Sequence, residues 1–372
     1  MPYRRYAWVE VDTGAVAHNV RTLKALTPNG TRFMAVVKAD GYGHGAAEVA
    51  RAALAAGAER LGVATIEECV ALREAGVTAP LHVLSEPPAD AVGVVLEHDI
   101  VPTVASREFA TVLSRAATLA EREVAYHLKI DTGMNRIGVA AEHGADVARW
   151  LDGLPGIAME GAFTHFATAD VPGDWDFDRQ MDRFSRALER MRTERVRPRI
   201  VHAANSAATV LHPESHFDLV RCGIAIYGLH PAPATRGAID LRPAMSVKAR
   251  VSFVKRIGLG DGVSYGLTWH AAAPTTIATL PLGYADGVHR VLSNSMEVLI
   301  GGRRCRQVGR ICMDQLMVEV PSGLEVRPGD EAVLVGAQGA ERIVMDELAD
   351  AAGTINYELA CGFALRMERL YR

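Results

Sequence analysis

Between residue 34 and about residue 220 the chain alternates short apolar runs with amphipathic stretches, and this alternation limits the possible folds more than any other feature. Eight runs read as strands: "MAVV", "LGVA", "LHVL", "IVPTV", "VAYHLKI", "IAMEGAF", "RIVHA" and "FDLV". Stretches such as "AAEVARAALAAG" and "DFDRQMDRFSRALERMR" lie between them and read as helices. Helix starts are marked too. In "TIEE" at 65–68, Thr65 stands at the N-cap and Glu68 at the N3 position of a capping box. Eight β/α units in roughly 200 residues predict a (β/α)8 barrel of the TIM type. A doubly wound sheet shares the alternation, but the count of eight favours the barrel.

The pattern changes after "HPAPATRGAIDLRP" at 230–243, which is rich in proline and small residues and reads as a linker. Beyond it "SVKARVSFVKRIG", "TTIATLPLG", "MEVLIGG", "DQLMVEV" and "DEAVLVG" read as strands with few helices between them. The expected division is a barrel domain over residues 1–240 and a mainly β domain over 241–372. A net charge of −4 argues against a nucleic-acid binder. No apolar run approaches the ~18 residues of a membrane span. The start, "MPYRRYAWVEVD", runs into an acidic strand-like segment rather than the apolar core of a secretion signal. The five cysteines, Cys69, Cys222, Cys305, Cys312 and Cys361, are odd in number and include no C-x-x-C pair. No disulfide framework and no metal site is expected, and a reducing cytoplasm fits.

Enzymes on this barrel work at the C-terminal ends of the strands. The unusual polar residues gather there. Strand one ends at Lys38, before the glycine-rich "ADGYGHG". Strand five carries Lys129 and Asp131 into "TGMNRIG". Strand six ends at His165, strand seven at Asn205 and Ser206, and strand eight at Arg221. Singly, each has an ordinary reading: a solvated lysine, a core histidine, a surface ion pair. Five ends of one ring make a site. In "YHLKID" the alternation puts His127, Lys129 and Asp131 on one face and Tyr126, Leu128 and Ile130 on the other. A lysine inside a barrel strand needs an anionic partner or a changed charge.

The loops after strands seven and eight, where this fold commonly binds phosphate, read "NSAAT" and "RCGIAIYG". Both offer small residues, backbone N–H groups and a hydroxyl. A strand-end lysine beside a phosphate cradle points to a Schiff base with a phosphorylated aldehyde, pyridoxal 5'-phosphate (PLP). Partial burial lowers a lysine's pKa and makes it nucleophilic near neutral pH. On this reading the glycine loop lets Tyr42 and the backbone close around the cofactor.

Nine ordered motifs span the chain: "AVVKADGYGHG", "HLKIDTGMNRIG", "THFATAD", "HAANSAAT", "VRCGIAIYG", "VSYGLTW", "LPLGYADG", "VGRICMDQ" and "INYELACG". In these the chain resembles the alanine racemases, fold-type III PLP enzymes. The resemblance implies that Lys38 holds PLP and is one catalytic base. Tyr265, in "VSYG", would be the other, supplied by the partner of a homodimer with shared sites. It implies a phosphate site of Tyr42, Ser206, Gly223, Ile224 and Tyr357, with Asn205 among the cofactor-binding residues. Arg221 would face the pyridine nitrogen, Arg136 the phenolic oxygen, and His165 would link Tyr265 to Arg221. Arg136 and the Met313 backbone would receive the substrate carboxylate. Lys129 matches a position carbamylated in many members, and Tyr284 one at the substrate entrance. The activity implied is interconversion of L- and D-alanine, supplying D-alanine for peptidoglycan. A broad-range or serine racemase is the first alternative. A PLP decarboxylase of the same fold is another, but "VSYG" brings a racemase's tyrosine. A non-enzymatic PLP-binding protein resembles the barrel alone.

Overall fold

The computed structural model describes residues 5–171 and 173–372. The apolar runs form strands β1 (Arg32–Val36), β2 (Arg60–Val63), β3 (Leu81–Val83), β4 (Ile100–Val104), β5 (Val124–Asp131), β6 (Ile157–Phe163), β7 (Ile200–His202) and β8 (Leu219–Cys222). Each pairs in parallel with the next, and β8 pairs with β1, so the ring closes. Closure decides between the two expected topologies, because a doubly wound sheet keeps free edges. Parallel strands bury both faces. On β5 the alternation holds, with Tyr126, Leu128 and Ile130 fully buried on one face and His127 and Lys129 buried on the other.

Local signals set most element ends. The Thr65 hydroxyl accepts from Glu68 N at 3.3 Å and the Glu68 carboxylate accepts from Thr65 N, completing the expected capping box. The eighth strand lies two residues later than "FDLV" implies. Phe217 adopts φ 46°, outside the β region, so pairing begins only at Leu219.

The chain divides into two compact units, one of residues 15–41 and 46–242, the other of residues up to Gly14, 42–45 and 243–372. The N-terminal stretch therefore does not belong to the barrel, contrary to the expected 1–240. Strand Ala7–Val11 pairs antiparallel with Met245–Arg250 and parallel with Glu368–Tyr371. It sits between two C-terminal strands, with Ala7, Val9 and Val11 fully buried. A second sheet of this unit joins Phe253–Ile257, Thr275–Leu280 and Leu316–Val320. The proline-rich linker after residue 230 is anchored on the barrel unit. Buried Asn19 donates to Ile226 O at 3.1 Å and Arg242 O at 2.8 Å and accepts from Arg242 N at 2.8 Å. Ala232, Thr235, Ile239 and Leu241 are buried with it. Among the described residues no helix is long and apolar enough to cross a membrane.

Candidate active site

Lys38 stands two residues beyond β1 and opens an unusual turn. Ala39, Asp40, Gly41 and Tyr42 all have positive φ, of 52°, 49°, 62° and 52°. Left-handed backbone costs a residue with a Cβ about 1–2 kcal/mol, so something must hold the turn. The Glu68 carboxylate accepts from Ala39 N at 2.6 Å, the Asp40 carboxylate accepts from Ala46 N at 2.8 Å, and Gly41 N donates to Val37 O at 2.9 Å. Glu68 thus caps its own helix and clamps the residue after Lys38. The capping motif was legible in the sequence; the clamp was not. Strain of this kind gathers at functional sites, where surrounding structure over-determines it.

The register Ala35↔Cys222 places the Lys38 turn beside the end of β8 on the same rim. Here Ser206 Oγ accepts from Gly223 N at 2.9 Å and from Ala225 N at 3.4 Å. Ile224 opens a 3-10 turn, Ile224–Tyr227, where the first N–H groups have no partner within the turn. Ser206, Gly223 and Ile224 are thereby brought together. Asn205 serves the backbone beside them. Its Oδ1 accepts from Ala208 N at 3.0 Å and caps the short helix Ser206–Leu211.

Arg221 spans the rim. It donates to Thr164 O at 2.8 Å, Ala203 O at 2.9 Å, His165 Nδ1 at 3.0 Å and His202 Nδ1 at 2.9 Å. Complete burial pulls its pKa down to about 9, which leaves it charged at neutral pH. Burial, Arg221 and Lys129 push His165 well below the ordinary imidazole value, so its ring is neutral. Buried Lys129 places Nζ over the Phe163 ring, 4.3 Å from the centroid. Burial, then the charges of Arg221 and Arg136, push its pKa well below a lysine's ordinary range. Arg136 itself is exposed, in the loop after β5.

In the C-terminal unit three loops converge. Tyr265 lies between Ser264 (φ 65°) and Gly266 (φ 71°). Ser264 Oγ donates to Arg310 O at 2.6 Å and lies 3.3 Å from Cys312 Sγ. Tyr284 N donates to Cys312 O and Ala285 N to Met313 O, both at 3.0 Å. Gly283 allows this approach, since a Cβ there would stand 2.1 Å from Cys312 O. Tyr265, Tyr284 and Met313 are thus displayed together, and 74%, 42% and 53% of each is exposed. Tyr42 and Tyr357 also meet, with ring centroids 6.3 Å apart. The glycine loop also lies against a second part of the chain. A Cβ on Gly43 would reach 2.3 Å from Ala360 O, so what closes on this backbone is the chain's own C-terminal helix Asn356–Gly362.

Sequence reasoning missed a polar group inside the barrel: His82, Thr103 and His202, all fully buried, with Arg60 and Glu160. The available signal was a polar residue at an inward position of β2, β3, β4, β6 and β7.

Residues 11–231 match the family described as alanine racemase, N-terminal domain, and residues 244–371 match alanine racemase, C-terminal domain. The chain is 48% identical to an alanine racemase of Symbiobacterium thermophilum, over 99% of this chain and 97% of that one. It is 45% identical to an alanine racemase of Mycobacterium bovis, over 97% and 95%. Among solved structures, it is similar to the alanine racemase of Bacillus anthracis with bound L-Ala-P. That likeness has a TM-score of 0.93 at 40% identity and covers 100% and 96% of the two chains. The alanine racemase of D-cycloserine-producing Streptomyces lavendulae is similar too, with a TM-score of 0.92 at 38% identity over 100% and 98%.

Proposed function

This chain belongs to the alanine racemase family, and from that premise we propose that it racemises alanine on PLP held by Lys38, with Lys38 and the partner subunit's Tyr265 as two bases. Racemisation of alanine makes it an isomerase. The left-handed turn directly after Lys38 carries the rest of the reading, because it spends stability to fix one lysine at the barrel rim.

The residues present fit the cofactor. PLP carries an aldehyde, a phosphate and a ring nitrogen. Lys38 offers the amine. The Ser206 hydroxyl and the Gly223–Ile224 backbone offer phosphate donors on the neighbouring strand ends, with Tyr42 and Tyr357 as further candidates and Asn205 shaping the Ser206 helix. Arg221 offers N–H to the ring nitrogen. When bound, PLP supplies an electron sink for the substrate's α-carbon.

The protein's own groups then handle the proton. Two bases on opposite faces can remove it from one side and return one to the other. Lysine and tyrosine both start near pKa ~10, so both need tuning toward the working pH. A guanidinium only donates, so His165 Nδ1 accepts from Arg221 and the ring proton sits on Nε2. That N–H is then free to donate to the Tyr265 oxygen, which favours the phenolate and lowers the tyrosine's pKa. Arg221 keeps its proton and leaves the ring nitrogen unprotonated, which suppresses side reactions that a stronger sink would allow. Arg136 and the Met313 backbone receive the substrate carboxylate, and Tyr284 narrows the entrance. The exposed display of Tyr265, Tyr284, Met313 and Leu267 supports a homodimer in which each chain completes its partner's site. In the cell the product would be D-alanine for peptidoglycan, made in the cytoplasm.

Purified protein is expected to be yellow, and borohydride should fix the cofactor to the peptide containing Lys38. A label on any other lysine overturns the assignment.

Lys129 carries a second expectation. Only a neutral amine attacks carbon dioxide, and burial with two nearby arginines favours the neutral form here. A carbamate would turn this buried neutral amine into an anion able to orient Arg136. Protein equilibrated with 13C-bicarbonate should show one carbamate signal that Lys129→Ala removes. An unmodified ammonium in fully active protein would contradict this.

A further inference from the structure

Beneath the proposed site the barrel interior holds a polar column where this fold ordinarily packs Val, Ile and Leu. Arg221 Nη1 lies 2.9 Å from His202 Nδ1. His202 Nε2 lies 2.7 Å from His127 Nδ1, and His127 Nε2 lies 3.0 Å from Glu160 Oε2. Arg60, the first residue of β2, ends the column and grips the Glu160 carboxylate with both Nη atoms.

The column has one direction. Arg221 can only donate, so His202 Nδ1 must accept and a neutral His202 carries its proton on Nε2. That proton meets His127 Nδ1, which must also accept, so the His127 proton sits on Nε2 and faces Glu160. Starting from the carboxylate, which only accepts, gives the same tautomers. Both imidazoles are buried and held below their ordinary pKa, His202 by burial and then the Arg221 charge, His127 by burial despite Glu160. Burial alone would raise the Glu160 pKa, but hydrogen bonds from His127 and Arg60 outweigh it and hold the group at about 2. The carboxylate therefore persists at any working pH. His82 lies close enough for a three-histidine metal group. The 2.7 Å contact between His127 and His202 nevertheless commits one of the facing nitrogens to a proton rather than to an ion.

A buried guanidinium must have its N–H groups satisfied, and the groups that accept from them fix its plane. The hydrogen-bond partners of Arg221 are two carbonyls and two neutral imidazoles. We propose that Glu160 is a positioning residue for Arg221, acting through His127 and His202 as a directed chain of hydrogen bonds. Glu160 touches neither cofactor nor substrate. It fixes the tautomer and tilt of two rings, and these fix the guanidinium. The consequence for catalysis deepens the proposed function and rests on Arg221 facing the cofactor ring; the chain itself does not.

Glu160 also lines a cleft with Arg60, Arg73 and Arg122, and its side chain is 23% exposed. A small carboxylate therefore has a route to its place. The first measurement is 15N NMR of histidine-labelled full-length protein. His127 and His202 should both appear neutral with the proton on Nε2, and a doubly protonated ring or a proton on Nδ1 at either residue overturns the chain. This readout needs neither a variant nor a racemase. The second compares Glu160→Ala with wild type in the PLP-loaded enzyme. The expected result is a kcat lower by about 10- to 100-fold, the scale for losing an outer partner that orients a site group, with KM for alanine nearly unchanged and both histidine signals shifted. Formate should restore part of kcat and both signals, while chloride should not. Unchanged kcat, or a fall in kcat with both histidine signals in place, overturns the positioning role.

Discussion

Lys38→Ala protein and Tyr265→Ala protein, each inactive alone, should regain about a quarter of wild-type activity when mixed, dissociated and reassociated. The reason is geometric. Lys38 belongs to the barrel unit and Tyr265 to the C-terminal unit. If each site takes Lys38 from one chain and Tyr265 from the other, a mixed dimer has one site with both substitutions and one with neither. Random pairing makes about half the dimers mixed, and each has one intact site of two, hence about a quarter. If Lys38 and Tyr265 of the same chain met, every site would keep one defect and the mixture would stay inactive. Mass spectrometry must verify the heterodimers. Verified heterodimers without activity would rule out the shared site.

Tyr265→Phe should lower α-hydrogen exchange from L-alanine by about 10²–10⁴-fold, the usual range for a lost general acid–base group. Binding of alanine should change far less, since the phenyl ring remains. Tyr265 is well placed for this comparison. Its turn is held by Ser264 against Arg310 O, not by the tyrosine's own hydroxyl, so removing the oxygen leaves the loop anchored. Exchange in heavy water, with each enantiomer supplied separately, reads the two faces independently. Equal losses in binding and exchange would make Tyr265 a binding residue only.

Residue patterns alone carried the eight strands, the capping box at Thr65 and Glu68, and the gathering of Lys38, Lys129, His165, Ser206 and Arg221 at strand ends. Each of these depends on spacing within a few residues, where periodicity and capping chemistry act directly. Even Lys129, buried on the inward face of β5, was visible as a charge at the wrong place in an alternating run. Tyr265, Tyr284 and Met313 were nameable only by resemblance, because each lies in a loop where no periodicity marks it.

Tertiary structure alone decided the rest. It gave strand Ala7–Val11 to the C-terminal sheet, because its partners Met245–Arg250 and Glu368–Tyr371 lie more than 200 residues away in the chain. It clamped the linker between the two domains through Asn19. It bent the backbone after Lys38 into a left-handed turn whose clamp, Glu68, comes from another β/α unit. It also threaded Arg221, His202, His127 and Glu160 into one column. Those four come from β8, β7, β5 and β6 and meet only because a closed barrel turns the inward side chains of its strands toward a common axis. A chain reads locally, whereas a hydrogen bond between residues far apart in sequence exists only once the ring has closed.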